Sequence, residues 1–282
     1  MKLGQAALRA HPLPPVVDGD KETKGRILVV AGSRAVPGAA LLTAMAAMRA
    51  GAGKLKIATV ESAAMQIGVA MPEAMVIGLP EAADGGFTPG AAKRVAQLAD
   101  QVDAIVAGPG VKRNRCCGEM AQALFAKAAA LALDVALLEA LEPPKRRPKS
   151  PPLLLPNADE LAALLDCGED EVKRDPIGCG RRAAERYRAI VLVKGVASHV
   201  VTADGDSWTF DGGAPGLGVS GSGDVLAGIV GGLLARGAEP LNALLWSVWL
   251  HGEAGAKLAT EVGPIGFLAR EIADKVPTLL PR

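Results

Sequence analysis

The sequence contains no run of about 18 apolar residues that is free of charge, glycine and proline, so we expect no transmembrane helix. Its first 15 residues, MKLGQAALRAHPLPP, have no sustained apolar stretch, which argues against a secretory signal peptide. An excess of one charge is also missing, because 31 basic residues face 30 acidic ones. This balance gives no electrostatic reason to expect a nucleic-acid or membrane partner. A cytoplasmic protein is expected.

Cysteine is scarce, and its spacing suits neither disulfides nor metal sites. The four cysteines, Cys116, Cys117, Cys167 and Cys179, form no CxxC pair. The adjacent pair at 116 and 117 fits neither ordinary disulfide geometry nor zinc-ligand spacing. We therefore expect four reduced thiols, as is usual in the cytoplasm.

Internal repeats and long linkers are missing too, so we expect a single domain over residues 1–282. Half of the residues are apolar, which is enough to bury one large core. The 34 glycines separate short apolar runs. Glycine-rich turns of this kind are typical of α/β enzymes, in which the backbone approaches a phosphate group closely.

Apolar, β-branched runs alternate with segments rich in alanine and leucine. The predicted strands cover residues 27–31, 55–59, 74–77, 104–107, 133–138, 153–155 and 190–193. Two further strands, 196–202 and 207–210, form a predicted hairpin around Asp204-Gly205. The predicted helices cover 38–50, 91–98, 120–132, 159–165, 223–234, 241–258 and 267–275. The alternation predicts an α/β fold with a mainly parallel sheet that helices cover on both faces.

A basic, proline-rich segment, PPKRRPKSPP, occupies residues 143–152. Such a segment can be a nucleic-acid patch or a solvated loop. It contains no aromatic residue on which a base could stack, so the solvated loop is favoured.

The loops that follow the predicted strands are the expected place for a ligand. In open α/β sheets, ligands bind beyond the carboxyl ends of the strands. The loops in question begin at Gly32, Gly108, Pro156, Lys194 and Gly213. We expect these loops to meet in one crevice.

The strongest local signal is Gly221-Ser222-Gly223, which leads directly into a predicted long helix. The first turn of a helix has unpaired N–H groups and the positive end of the helix dipole. Small residues allow several of these N–H groups to point at one anion, which suits a transferring phosphoryl group. Asp224 lies in that first turn, where it can act as general base on a substrate hydroxyl. The alternative is that Asp224 only caps the helix.

The segment GSGDVLAG resembles the anion-hole and catalytic-base motif of ribokinase-like enzymes. The other motifs resemble one branch of that class, the ADP/ATP-dependent NAD(P)H-hydrate dehydratases. They occur in the same order as in that family, over residues 24–276. The sequence shows no counterpart of the epimerase domain that accompanies the family in fused bacterial proteins. The matching segments are KGRILVVAGSRAVPGAALLTAMAAMRAGAGKLKIAT (24–59), MPEAMV (71–76), AIVAGPGV (104–111), LLLPNADELAALL (153–165), VLVKGVASHVV (191–201), APGLGVSGSGDVLAGIVGGLLARG (214–237) and HGEAG (251–255).

The resemblance implies a ribokinase-like three-layer sandwich and a repair reaction. The nicotinamide ring of NADH or NADPH can become hydrated, and the family removes that water at the expense of ATP or ADP. The ring hydroxyl is phosphorylated, the phosphate leaves and the double bond returns. A divalent cation, Mg²⁺, would bridge the phosphates. The family also suggests a homotetramer.

The resemblance assigns residues to each part of this reaction. Asp224 would activate the hydroxyl, while Gly221, Ser222 and Gly223 would hold the transferred phosphoryl group. The remaining assignments are a nucleotide site at Lys194, Gly195, Val196, Ala197, Ser198 and Gly223, and a hydrate site at Ala39, Gly110, Asn157 and Asp224.

Two positions depart from the family pattern. Asn157 replaces the usual histidine, so that Asn157-Ala158-Asp159-Glu160 resembles the Asn-x-x-Glu element of ribokinase-like kinases, which helps to place metal and phosphate. Glu160 would then have an indirect role toward the metal. After Asp134, which is kept, the family's alanine-rich turn has become Val135-Ala136-Leu137-Leu138.

Two alternatives to the dehydratase remain open at this point. One is a small-molecule kinase that acts on a hydroxymethyl group of a vitamin precursor, which Asn157 and Glu160 favour. The other is a nucleotide-binding regulator without catalysis, which the intact Gly-Ser-Gly and Asp224 oppose. Two single side chains and one tryptophan pair also have two interpretations each. Lys194 is a phosphate contact or the start of a turn, His251 is a ligand or a packing residue, and the Trp246–Trp249 pair belongs to the core or to a subunit interface.

Overall fold

The computed structural model describes residues 1–16, 23–127, 129–139, 141–144 and 148–281. Within these residues, nine strands form one sheet in the order β3-β2-β1-β4-β5-β6-β7-β8-β9. The strands are β1 (Arg26–Val30), β2 (Lys54–Val60), β3 (Ala74–Leu79), β4 (Ala104–Ala107), β5 (Ala130–Leu133), β6 (Leu153–Leu154), β7 (Ile190–Val193), β8 (Ser198–Val201) and β9 (Ser207–Phe210).

Helices cover both faces of this sheet. They are α1 (Gln5–Ala10), α2 (Gly38–Arg49), α3 (Glu61–Ala70), α4 (Pro89–Ala99), α5 (Cys116–Phe125), α6 (Ala136–Glu139), α7 (Ala158–Leu165), α8 (Glu169–Arg174), α9 (Pro176–Tyr187), α10 (Ser222–Ala235), α11 (Pro240–Glu261) and α12 (Ala269–Lys275). α2, α10 and α12 pack against one another, and α10 lies on β1, β4 and β5. α4 and α5 pack together and contact β1 and β5. Because crossovers are right-handed, the connections that run in opposite directions along the sheet place their helices on opposite faces.

The pairing of the strands confirms the predicted topology. All neighbours from β3 to β7 are parallel, whereas β7, β8 and β9 are antiparallel. The predicted hairpin is therefore present, with its turn at Asp204-Gly205. The strand order reverses between β1 and β4, since the chain adds β2 and β3 on one side of β1 and β4 to β7 on the other. In open α/β sheets, ligands bind beyond the carboxyl ends of the strands near such a reversal.

The central strands are apolar because both of their faces are covered. Residues 27–30 of β1 and 104–107 of β4 have no exposed surface. The close approach of α10 to α2 depends on glycine, because a Cβ at Gly228 would lie 2.2 Å from the carbonyl oxygen of Thr43. This contact fixes the distance between the first turn of α10 and the start of α2, which both line the crevice.

Two neighbouring predictions were wrong. The helix predicted over 120–132 ends at Phe125, and the segment Ala130–Leu133 is strand β5. The strand predicted over 133–138 contains only the last residue of β5, and helix α6 follows it. Alanine and leucine favour a helix locally, but β5 fills the place between β4 and β6, where its backbone groups pair on both sides. Helices α1, α3, α8 and α9 were not predicted.

The remaining sequence predictions concern the chain's composition. All four cysteines are free thiols. In the described part of the chain, no helix is long and apolar enough to cross a membrane. Of the basic segment 143–152, residues 145–147 lie outside the described residues. The N-terminal segment packs onto the sheet, since Leu3 and Leu8 are buried and the N–H of Leu3 donates to the carbonyl oxygen of Thr209 in β9.

Candidate active site

One wall of the crevice is formed by the loops after β1 and β4. The N–H of Gly32 donates to the carbonyl oxygen of Pro109 over 2.8 Å, so the two loops touch as predicted. Gly110 has φ +63°, and a Cβ there would lie 2.4 Å from the Cβ of Ala39 at the start of α2. Only glycine fits this position, because it tolerates both the left-handed backbone and the close approach. Ala39 and Gly110, the two predicted pocket residues, are therefore in direct contact.

The opposite wall is formed by the loops after β6 and β7. The N–H of Lys194 donates to the carbonyl oxygen of Pro156 over 2.8 Å, and Lys194 also pairs with Asn157 in an isolated bridge. Residues 194–197 make the turn between β7 and β8, in which Gly195 and Val196 are exposed. The loop that begins at Gly213 packs against Gly252 of α11, the neighbour of His251.

The first turn of α10 lies between these walls. Gly221 is the N-cap residue with φ +88°, and a Cβ there would lie 2.4 Å from Cδ1 of Leu42 in α2. The N–H of Ser222 donates to the carbonyl of Val219. Among the described residues, the N–H groups of Gly223 and Asp224 have no protein acceptor. They are the unpaired donors that a helix start offers to an anion.

Asp224 has an environment that suits a base. No side-chain hydrogen bond caps α10, so the interpretation of Asp224 as a helix cap is not supported. Burial raises the pKa of its carboxyl from the ordinary 3.8 to about 6, with a further increase from the negative charge of Asp134 and a partial offset from Lys194. A carboxylate with a pKa near the working pH can accept a proton from a hydroxyl more readily than an ordinary aspartate.

A buried ion cluster lies next to this turn. Lys194 Nζ is 2.7 Å from Asp134 Oδ1 and 3.6 Å from Glu160 Oε2, and it lies 3.9 Å from where a Cβ on Gly223 would be. Burial lowers the pKa of Lys194, but the carboxylates of Asp134 and Glu160 outweigh this effect and raise it overall. The side chain of Lys194 thus carries a positive charge beside the helix start. Residues 134 and 194 are 60 positions apart, so no local sequence pattern predicts the contact between them.

Asn157 and Glu160 have a structural explanation of their own. Asn157 Oδ1 accepts the N–H of Glu160, and Glu160 Oε2 accepts the N–H of Asn157, each over 2.8 Å. This reciprocal pair is a capping box at the start of α7. The amide nitrogen of the exposed Asn157 side chain keeps its two donors for another partner.

Sequence reasoning left the role of His251 open. Its Nε2 lies 3.0 Å from Ser222 Oγ and 3.1 Å from the Ser222 carbonyl oxygen. Burial lowers the pKa of His251 to about 4, although the Ser222 carbonyl acts in the opposite direction. His251 therefore contacts the first turn of α10 directly. The motif HGEAG was the only signal for it in the sequence.

Comparison with known proteins gives this arrangement a family. The family model described as NAD(P)H-hydrate dehydratase matches residues 27–278. An ADP-dependent (S)-NAD(P)H-hydrate dehydratase of Xanthomonas campestris is 45% identical, over 98% of this chain and 95% of that protein. The chain belongs to the NAD(P)H-hydrate dehydratase family.

Other members of the NAD(P)H-hydrate dehydratase family agree in sequence and fold. A bifunctional NAD(P)H-hydrate repair enzyme of Gloeobacter violaceus is 36% identical over 96% of this chain, which spans about half (52%) of that relative. A crystal structure of the ADP/ATP-dependent NAD(P)H-hydrate dehydratase from Bacillus subtilis, co-crystallised with ATP and Mg²⁺, superimposes with a TM-score of 0.86. That match has 28% identity and covers 99% of this chain and 96% of the other. The predicted ribokinase-like sandwich is thereby confirmed.

Proposed function

We propose that the protein uses ADP or ATP to dehydrate the (S)-hydrate of NADH or NADPH, a lyase reaction that restores the reduced cofactor and releases phosphate. The observation that carries the proposal is Asp224, which has a pKa near 6 and lies beside two unpaired N–H groups in a crevice with a small-residue wall. Family membership supports the substrate and the nucleotide, because dehydratase relatives of Xanthomonas and Bacillus carry the same activity in their names.

We assign the two substrates to the two walls of the crevice. The hydrate lies against Ala39 and Gly110, with the amide of Asn157 free to donate to it. The nucleotide lies against the turn from Lys194 to Ser198, in which Gly195 and Val196 are exposed. Their reacting ends meet at the first turn of α10.

The chemistry at that turn follows from the groups present. Asp224 takes the proton of the ring hydroxyl, so that the hydroxyl oxygen can bond to the terminal phosphoryl group while the bond from that group to the rest of the nucleotide breaks. The N–H groups of Gly223 and Asp224, with Gly221 allowing the turn and Ser222 adding its hydroxyl, hold the phosphoryl oxygens. The carbon–oxygen bond then breaks, phosphate leaves with the bonding electron pair, and the ring proton lost as the double bond returns passes to the phosphate or to water. Lys194 supplies positive charge on the nucleotide side.

The residues around the proposed site fit a magnesium ion that the nucleotide brings, and not one held by a cluster of side chains. Within the described residues, no group of three or more His, Cys, Asp or Glu side chains could hold a metal. Glu160 is engaged by the N–H of Asn157 and faces Lys194. Mg²⁺ is commonly held by substrate phosphates, waters and one or two carboxylates. The residues therefore fit an ion that the nucleotide phosphates carry, with Glu160 acting through water, and its chemistry would be neutralisation of phosphate charge.

The assay mixes the protein with Mg²⁺, hydrated NADH, and ADP or ATP in parallel, and follows the return of reduced-nicotinamide absorbance. We expect recovery that requires a nucleotide and is reduced at least about 10³-fold in Asp224→Asn. A stable phosphorylated product without released phosphate would indicate the kinase alternative. No recovery with either nucleotide would contradict the proposal.

We also propose a cytoplasmic homotetramer. Four free thiols fit a reducing compartment. The partly buried Trp246 and Trp249 lie edge to face with ring centroids 5.8 Å apart on α11, where they border an open groove with Leu279. Light scattering coupled to gel filtration tests this expectation, and a monomer at micromolar concentration would contradict it.

A further inference from the structure

His251 contacts the first turn of α10 through one ring nitrogen. It lies in the middle of α11, and its neighbour Gly252 allows that helix to approach the β9 side of the sheet, because a Cβ at Gly252 would lie 2.1 Å from Phe210. From there, one ring nitrogen of His251 faces two oxygens of one residue, Ser222. The distances are 3.0 Å to the hydroxyl oxygen and 3.1 Å to the carbonyl oxygen.

The carbonyl decides which ring nitrogen carries the hydrogen. A carbonyl oxygen only accepts hydrogen bonds, so Nε2 must donate to it, since two lone pairs at 3.1 Å would repel. Burial lowers the pKa of His251 to about 4, so the ring is neutral at pH 7 and carries a single N–H. That N–H is therefore on Nε2. The hydroxyl oxygen of Ser222 then lies beside a donor, and it cannot donate to His251.

The hydroxyl hydrogen of Ser222 is thereby left for another acceptor. In the described chain, Ser222 Oγ has no protein partner besides His251. The backbone N–H of Ser222 is already hydrogen-bonded, because it donates to the carbonyl oxygen of Val219. The hydroxyl is thus the donor that Ser222 can still offer at the first turn of α10, next to the unpaired N–H groups of Gly223 and Asp224.

We propose that His251 is a positioning residue that makes the Ser222 hydroxyl a hydrogen-bond donor to the transferred phosphoryl group. This inference rests on the proposed function. It assigns Ser222 to the anion hole through its side chain, whereas Gly223 and Asp224 contribute through their backbone.

The first test reads the position of the hydrogen directly. Nitrogen-15 NMR of imidazole-labelled protein at pH 7, without nucleotide, distinguishes the two neutral forms of His251, with His251→Gln used to assign its signals. We expect the form with hydrogen on Nε2. Hydrogen on Nδ1 would overturn the inference, because Nε2 would then accept the Ser222 hydroxyl.

The second test is a double-mutant cycle between positions 251 and 222. His251→Leu removes the ring N–H, Ser222→Ala removes the hydroxyl, and His251→Gln keeps an N–H donor at a similar reach. We expect His251→Leu to lower kcat about 10- to 100-fold, Ser222→Ala to lower it similarly, and the double variant to be within about twofold of Ser222→Ala. His251→Gln should restore most of the kcat that His251→Leu loses, with KM nearly unchanged in both variants.

The cycle is repeated with a probe that needs no turnover. Binding of ADP with Mg²⁺ and aluminium fluoride, a mimic of the transferring phosphoryl group, is measured by calorimetry, with ADP alone as the control. Losses of binding affinity that are non-additive and that occur only for the fluoroaluminate complex support the inference. Additive losses, or equal losses for ADP alone, would overturn it. Wild-type protein that binds the mimic but restores no reduced cofactor would instead contradict the proposed function, and the two failures are therefore distinguishable.

Discussion

Asp224, Asp134, Glu160 and Lys194 bring three carboxylates and one ammonium close to the start of a single helix. Lys194 pairs with the two carboxylates farther from the proposed reaction, so Asp224 is the one without an ion-pair partner. A carboxylate in this position is costly for the folded protein, because it is partly desolvated and lies near another negative charge. The same cost gives it the proton affinity that a base requires.

Replacement of Asp224 tests this exchange of stability for reactivity. The folded state binds a proton at Asp224 more tightly than the unfolded chain does, since the pKa rises from 3.8 to about 6. The ionised side chain therefore destabilises the fold fully above pH 6, and this penalty disappears as the pH falls toward 4. Asp224→Asn should raise the free energy of unfolding by about 1–3 kcal/mol at pH 8, with a gain that shrinks between pH 6 and pH 4.

Denaturant unfolding at pH 8, 6 and 4.5 measures the effect. The matched control is Asp204→Asn in the exposed hairpin turn, which should change stability by less than about 0.5 kcal/mol at each pH. If Asp224→Asn raised the free energy of unfolding equally at all three pH values, or lowered it at pH 8, the ionised Asp224 side chain would not destabilise the fold as proposed.

Asp134 holds the charge of Lys194 and should be essential for stability. Only 1% of Asp134 is exposed, so Asp134→Asn leaves a buried ammonium with Glu160 alone as partner. Loss of one member of a buried pair costs about 3 kcal/mol. The exposed pair Lys173–Glu169 serves as control, because the loss of one solvent-exposed ion pair should change the free energy of unfolding very little in Glu169→Gln. Urea unfolding measures both variants, and an equally small loss of unfolding free energy in each would exclude a stabilising role of the cluster.

At the scale of helices and strands, the site depends on the contact between α2 and α10. A Cβ at Gly228 would meet the Thr43 carbonyl oxygen at 2.2 Å and the Ala46 Cβ at 2.7 Å. Gly228→Ala should therefore push the helices apart, destabilise the fold by about 2 kcal/mol and lower kcat, because α2 carries Ala39 and α10 carries Asp224.

A second helix glycine provides the control for Gly228. Gly68 in α3 has its nearest neighbour, Val76 Cγ2, at 3.8 Å from an added Cβ. Gly68→Ala should stabilise the fold by about 0.5–1 kcal/mol and leave activity unchanged, since alanine favours helices more than glycine does. Thermal unfolding of both variants would contradict this account if Gly228→Ala were as stable as Gly68→Ala.

The same elements explain what the sequence can and cannot predict. The helix start at Gly221–Asp224 was predicted correctly because its signal lies in four consecutive residues, while the chemical role of these residues stays a prediction. β5 was mistaken for helix because its alanines and leucines favour a helix until pairing with β4 and β6 is considered. The contact of His251 with Ser222 joins residues 29 positions apart on two helices, so no local pattern contains it.

Across the whole molecule, the proposed site lies at the carboxyl edge of the parallel strands. The loops after β1 and β4 contact each other, as do the loops after β6 and β7, and the first turn of α10 lies near both Leu42 of α2 and Lys194. Two different substrates can thus approach from two walls and react at one helix start. In this account, the phosphoryl group passes to the ring hydroxyl of the hydrate and departs with that oxygen.

Oxygen labelling follows that atom most directly. The hydrate is prepared with ¹⁸O in its ring hydroxyl and incubated with the protein, Mg²⁺ and ADP or ATP in unlabelled water, and the released phosphate is analysed by mass spectrometry. The account predicts one ¹⁸O atom in each phosphate, released in step with recovered NADH. Recovery of NADH with unlabelled phosphate would mean that water attacks the nucleotide, and it would contradict the transfer of phosphate to the hydrate.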